Sequence, residues 1–178
     1  MVRLFVALPC IVLLSLGQSL APYVPTPEDV VERMLRLAEV VPGDVVYDLG
    51  SGDGRIPIAA ARLYGARGVG IEIDARRVEE ARTNAKAAGV DHLVEFRLQD
   101  VMAADVSPAT VVTLYLLTSS NVKLRPLLTR QLRPGARIVS HAFSMGPAWP
   151  ADRVDQFTTG RGDEITLYLW RADGVVRP

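Results

Sequence analysis

Apolar positions in this chain change period in a repeating way. Val45-Val46-Tyr47-Asp48-Leu49 is a short run with β-branched residues that turns through Gly50, Gly52 and Gly54. It leads into an alanine-rich helix at 56–64, stopped by Gly65. Residues 68–74 read as a second strand ending in acids, and 75–88 as a helix with its arginines and glutamates outward, ending at Gly89. A third strand, 93–98, alternates and delivers Asp100 at its carboxyl end. Residues 110–117 are almost unbroken apolar, as expected of a central parallel strand covered on both faces. Then come a helix from about 122 to 132 with Pro126 in its first turns, a strand at 137–141 and a last strand at 164–170. The stretch 142–161 has too little periodicity for a full helix and reads as a loop plus one short strand. Ahead of all this, Pro22-Tyr23-Val24-Pro25 is a stiff connector. Thr26 is expected to cap a helix that runs to about Val40, with Pro27 at its first position and Val30, Met34, Leu37 and Ala38 as its apolar face. Strands alternating with helices predict an α/β fold, doubly wound around a mostly parallel sheet with helices on both faces.

Length and charge narrow the picture. At 178 residues the chain suits one domain, 22–178, behind an apolar segment at 1–21. Twenty basic and twenty acidic residues cancel, so bulk attraction to nucleic acid is not indicated. The only cysteine is Cys10, and the two histidines, His92 and His141, are far apart, so no metal site is expected. His141, at a strand's carboxyl end, reads as a structural histidine with its hydrogen bonds satisfied.

Residues 4–16 are nearly all apolar and follow Arg3, a layout like a secretory signal and too short for a comfortable membrane span. Pro9 within the run and Pro22 after Ser19-Leu20-Ala21 fit a cleavable signal poorly. The reading is a membrane-associating segment with the folded domain on the cytosolic side. Arg3, as the only flanking charge, by itself favours sending the rest outward, so export stays open.

The chemistry concentrates at the glycine loop. A strand–loop–helix junction places a helix N-terminus at a strand's carboxyl end, where open α/β sheets bind ligands. A dinucleotide site sets its pyrophosphate there, yet Asp48 ends the strand and Asp53 sits in the turn with no lysine to offset them. Two carboxylates suit a cation bearing an ammonium or sulfonium group instead. The spacing is G-x-G-x-G, where the dinucleotide fingerprint is G-x-G-x-x-G. Glu72, some 20 residues on, fits the acid that takes both ribose hydroxyls.

Asp48-Leu49-Gly50-Ser51-Gly52-Asp53-Gly54 followed by Gly70-Ile71-Glu72-Ile73-Asp74 resembles the cofactor site of class I, S-adenosylmethionine-dependent methyltransferases. Further pieces are similar to a narrower group, the seven-β-strand lysine methyltransferases that modify the c-type subunit of mitochondrial ATP synthase and the adenine nucleotide translocase. These are Tyr23-Val24-Pro25, Leu114-Tyr115-Leu116-Leu117, Leu124-Arg125-Pro126, the run 132–141 and Trp149-Pro150. Thr118 and Gly146-Pro147-Ala148 depart from that pattern near the expected acceptor pocket.

The resemblance implies a Rossmann-like, seven-stranded fold and S-adenosyl-L-methionine held by Asp48, Gly50, Ser51, Gly52, Asp53, Gly54, Glu72, Ile73, Asp100 and Val101. Asp100 matches the acid that bonds the adenine amino group, with a solvated acid or a helix cap as the alternative reading. The acceptor implied is a lysine in a protein, with a membrane protein among the candidates, reached through a channel lined by Tyr23, Tyr115 and Trp149. For Tyr115, inside an apolar strand, a core role is the simpler expectation. The rivals are methylation of a small molecule or lipid, a non-catalytic cofactor-binding module, and a nicotinamide oxidoreductase.

Overall fold

The computed structural model describes Leu20, Ala21 and residues 23–178. The apolar run at 4–16 lies outside the described residues. Among the described residues no helix is long and apolar enough to cross a membrane.

Five parallel strands form the body of the sheet: β1 (Val45–Leu49), β2 (Arg67–Glu72), β3 (Val94–Leu98), β4 (Val111–Leu114) and β5 (Arg137–His141). Two antiparallel strands, β6 (Arg153–Thr158) and β7 (Glu164–Arg171), complete it in the order β3-β2-β1-β4-β5-β7-β6. The order reverses between β1 and β4, and such a switch point opens a crevice at the strands' carboxyl ends. This is the doubly wound, mostly parallel seven-stranded sheet read from the sequence, with β6 supplying the short strand expected within 142–161.

The period-2 pattern assigns the two faces. Tyr47, Leu49, Val69, Ile71, Val112, Leu114 and Ile138 bury on one face beneath α4 (Thr118–Gln131). Val46, Val111 and Val139 bury on the other against α1 (Glu28–Leu37) and α2 (Arg55–Tyr64). On that second face β2 carries Gly68 and Gly70 rather than side chains. A Cβ on Gly68 would lie 2.8 Å from Pro57 Cβ, and one on Gly70 would lie 2.5 Å from Phe96 Cδ1. The glycines therefore let α2 and α3 (Ala75–Ala87) seat close to the strand.

Below the strands' amino ends, Asp44 and Arg137 form a buried ion pair at 2.6 Å. Thr110 Oγ1 donates to the same carboxylate at 2.7 Å, and Arg137 also donates to Ala38 O. One cluster thus fixes the starts of β1, β4 and β5 and the end of α1.

Three boundaries differ from the sequence reading. Helix α1 starts after Pro27 without a side-chain cap and ends at Leu37, because Glu39 takes φ 54° and Val40 N–H closes back on Leu35 O. Strand β4 stops at Leu114, so Tyr115–Leu117 leave the sheet. Helix α4 begins at Thr118, four residues early, which puts Pro126 in mid-helix. The polar Thr118-Ser119-Ser120-Asn121 has the composition of a loop. Ser120 and Asn121 are nevertheless buried and bonded: Ser120 Oγ donates to Leu20 O at 2.6 Å, and Asn121 Nδ2 to Ser140 Oγ at 3.1 Å.

Candidate cofactor and acceptor site

A cavity of about 370 Å³ opens at the switch point, over the carboxyl ends of β1, β2 and β4. Its floor is the glycine loop. Gly50, Gly52 and Gly54 take φ values of 88°, 52° and 80°, left-handed backbone that explains three glycines in five positions.

Four of the loop's own donors are already used. The N–H groups of Gly50 and Ser51 both donate to Ile71 O, at 2.9 and 3.0 Å, and Gly54 N–H donates to Ser51 O at 2.9 Å. Gly52 N–H donates to Glu72 Oε2 at 2.8 Å. At the start of α2, Arg55 N–H donates to Asp53 Oδ1, and Pro57 brings no N–H. A diphosphate needs free backbone N–H groups and an uncompensated helix N-terminus. Here the N–H groups of Gly50, Ser51, Gly52 and Gly54 are spent within the protein, and an acid sits on the helix start.

What the loop offers a ligand is carboxylate. Asp48 is 4 % exposed and lines the cavity. It faces Thr113, its register partner on β4, whose Oγ1 donates to Asp48 Oδ1 at 2.8 Å. Burial pushes the Asp48 carboxyl up to about 7, and the nearby Glu72 and Asp53 add to the rise against the Thr113 hydrogen bond. Asp53 behaves differently. Burial raises it too, but the Arg55 guanidinium more than offsets this and holds it below the usual carboxylate range. The sequence reading finds no lysine to balance the loop acids and passes over this arginine.

Glu72 is clamped by backbone. Its Oε1 accepts from Ile73 and Asp74 N–H at 2.8 and 2.9 Å, while Oε2 takes Gly52. Asp100 does two things: it caps the short 3₁₀ turn 101–103 through Met102 N–H at 2.9 Å, and it lines the cavity beside Val101.

Of the residues named from the sequence, Asp48, Gly50, Ser51, Gly52, Asp53, Glu72, Ile73, Asp100, Val101, Tyr23 and Tyr115 line this one cavity. Gly54 does not. It starts α2 against Phe96 and Ala81, where a Cβ would fall within 2.6 and 2.8 Å. Trp149 is a correction. It is 4 % exposed in the core, its carbonyl accepts from Trp170 Nε1 at 2.9 Å, and it borders a separate surface pocket with Arg177. Tyr115 is the opposite case: past the end of β4 it is half-buried and faces the cavity instead of the core. His141 is buried, and its Nδ1 has no partner among the described residues, against the expectation of a satisfied ring.

Sequence reasoning named Tyr23 for the channel but missed Leu20 and Ala21, which roof the cavity with it. Leu20 and Ala21 line it, and Ser120 holds Leu20 O. Tyr23 lies over the loop so closely that a Cβ on Gly52 would come 2.5 Å from its Cε2. Arg77 stacks on the Tyr23 ring at 3.7 Å, and Arg55 Nη1 donates to Thr26 O at 2.7 Å. No periodic signal marks these contacts, because each joins an irregular segment to a helix start distant in sequence.

Comparison with known proteins agrees with this geometry. The ANTKMT methyltransferase domain model matches residues 48–153. A protein-lysine N-methyltransferase of Saccharolobus islandicus is 44 % identical over 84 % of this chain and 92 % of its own length. The Mus musculus lysine N-methyltransferase of the ATP synthase c-type subunit is 33 % identical over 86 % of this chain, which spans 60 % of that relative. The crystal structure of an RNA methyltransferase from Salinibacter ruber, in complex with S-adenosyl-L-homocysteine, superposes with a TM-score of 0.81 at 58 % identity. It covers 86 % of this chain and 97 % of its own. The strand order, the acid-lined cavity and these matches lead to one conclusion: the chain belongs to the ANTKMT methyltransferase domain family.

Proposed function

We propose that the protein transfers a methyl group from S-adenosyl-L-methionine to the side-chain amine of a lysine in a protein. The observation that carries the cofactor half is the glycine loop, whose Gly50, Ser51, Gly52 and Gly54 N–H groups are spent internally while Asp48, Glu72 and Asp100 converge on the cavity. That chemistry fits a ligand with an ammonium, two ribose hydroxyls and an adenine amino group, and no phosphate. Ionised Asp48 would hold the ammonium, Glu72 the ribose and Asp100 the adenine. When bound, the cofactor supplies a methyl group on a positively charged sulfur, which a neutral amine can displace in line.

The rest is alignment and exclusion of water. Tyr23, Tyr115, Leu116, Leu20 and Ala21 give the cavity an aromatic and aliphatic wall. Apolar surroundings disfavour the charged ammonium and so release the lysine's proton. Lysine as the acceptor is supported by the 44 % identity to the Saccharolobus islandicus enzyme over nearly its whole length. An acceptor in a membrane protein, with the chain itself at the membrane and its folded domain on the cytosolic side, is proposed on the apolar run at 4–16.

A second reading, methylation of RNA, is favoured by the Salinibacter ruber structure. The cavity argues against it. Its lining carries five acids, Asp48, Asp53, Glu72, Asp74 and Asp100, against Arg55, Arg76 and Arg77. Of these arginines, Arg55 is paired with Asp53 and Arg76 with Asp74.

Incubating the full chain with tritiated S-adenosylmethionine and a cell extract separates the two. Label removed by protease, recovered as methyl-lysine after hydrolysis and concentrated in the membrane fraction is the expected result. Label removed by ribonuclease would replace protein by RNA as the acceptor.

A further inference from the structure

Tyr115 is the aromatic wall residue of the cavity that stands at the end of a sheet strand, and the structure spends unusual effort on holding it. Register places Leu114 beside Ser140, so Tyr115 emerges level with His141, the last residue of β5. The two rings stack with centroids 3.9 Å apart and planes at 28°.

Immediately after His141 the backbone does something costly. Ala142 takes φ 64°, a left-handed conformation rare for a residue with a Cβ and worth about 1 kcal/mol or more of strain. That turn carries Phe143 back until its ring lies 6.3 Å from Tyr115, also at 28°. Two buried side chains fix the turn: Ser140 Oγ and Asn121 Nδ2 both donate to Phe143 O, at 2.6 and 3.0 Å.

Nδ1 of the His141 ring is buried and has no partner among the described residues, so a hydrogen bond from it does not explain why a polar ring occupies this place. The contact with Tyr115 does. Burial also pushes the imidazole down to about 4, which leaves it neutral near pH 7. A neutral ring stacks on the tyrosine without adding a positive charge behind the wall where a lysine must lose its proton.

We infer that His141, with Phe143, is a positioning residue that clamps the Tyr115 ring as a fixed wall of the acceptor site. This rests on the methyl-transfer reading and assigns His141 no contact with either substrate. It acts through Tyr115 alone, by planar stacking and not by proton transfer.

The test is a double-mutant cycle on the full chain. Single-turnover transfer of tritiated methyl from S-adenosylmethionine to extract protein is measured for wild type, His141→Leu, His141→Phe, Tyr115→Ala and the His141→Leu/Tyr115→Ala pair. Leucine fills the site without a ring, and should slow transfer about 10- to 100-fold through misplacement of the wall, with cofactor affinity by calorimetry changed less than about twofold. Phenylalanine keeps the stack and should hold the rate within about threefold of wild type. In the Tyr115→Ala background His141→Leu should have no further effect.

Multiplying effects in the double variant would overturn the inference, as would a phenylalanine variant as slow as leucine, since imidazole chemistry would then be at work. A urea midpoint for each variant reports folding. If leucine prevents folding, phenylalanine against Tyr115→Ala still decides between stacking and imidazole. Label found outside lysine would sink the lysine reading, while the cycle would still report on His141 with the acceptor so identified.

Discussion

Asp48→Asn should make the unliganded protein more stable and the liganded one weaker, and the size of the first effect follows from burial. The folded carboxyl titrates at about 7, against 3.8 when unperturbed. A carboxyl raised on folding favours the fold while protonated, so its contribution is full below the unfolded value and is lost as pH rises through the folded one. Linkage places the cost of the raised Asp48 carboxyl at about 2 kcal/mol at pH 5.5, where folding takes up a proton, and about 4 kcal/mol at pH 8, where the buried group is ionised.

Asparagine removes this titration yet keeps an oxygen to accept from Thr113 Oγ1. The variant's stability advantage should therefore grow by about 2 kcal/mol between pH 5.5 and 8. His141 runs the other way, since its folded value of about 4 lies below the ordinary 6.5 and stability rises with pH through that region. It is present in both proteins and cancels in the difference. Urea unfolding of both proteins, without ligand, at four pH values measures that difference. The same substitution should weaken S-adenosylmethionine by about 2 kcal/mol or more, roughly 30-fold, because the ligand's ammonium loses its buried partner. A stability difference that is flat with pH, or a less stable asparagine variant at pH 8, would refute the burial argument.

Gly52→Ala should push Tyr23 off the loop, since its Cβ would meet the ring at 2.5 Å and its φ of 52° is strained; calorimetry should show at least about a tenfold loss of cofactor affinity. Arg137→Ala should cost about 3 kcal/mol in urea unfolding by leaving Asp44 buried and unpaired, with the loss concentrated above the low pH at which that carboxyl protonates. Asp44 itself is raised by burial but more than offset by Arg137 and its hydrogen bonds, so the pair's stability fades as pH falls through its lowered value. Trp149→Ala should destabilise by about 3–5 kcal/mol while the folded protein keeps its cofactor affinity, because the side chain packs on Trp170 and not on the cavity.

The sheet was legible because its strands carry their own evidence. Valines that alternate between two buried faces, and glycines at 68 and 70 where a helix comes close, leave a periodic mark in the sequence. The loop acids were legible for the same local reason: strand, turn and helix are contiguous there. What stayed hidden were contacts between distant segments. Leu20 and Ala21 reach the cavity through a bond to Ser120, a hundred residues on. Trp149 is drawn into the core by Trp170, and Arg55 reaches the roof at Thr26. Thr118-Ser119-Ser120-Asn121 reads as loop when polarity is taken for exposure, yet two of the four are buried through hydrogen bonds.

Isothermal titration of the full chain with S-adenosylmethionine and, separately, with NAD tests the central claim most directly. A loop that spends the N–H groups of Gly50, Ser51, Gly52 and Gly54 internally and lines its cavity with carboxylates should bind the sulfonium ligand and leave the diphosphate unbound. Binding of NAD, or of neither ligand, would contradict the account of the site from which the rest is argued.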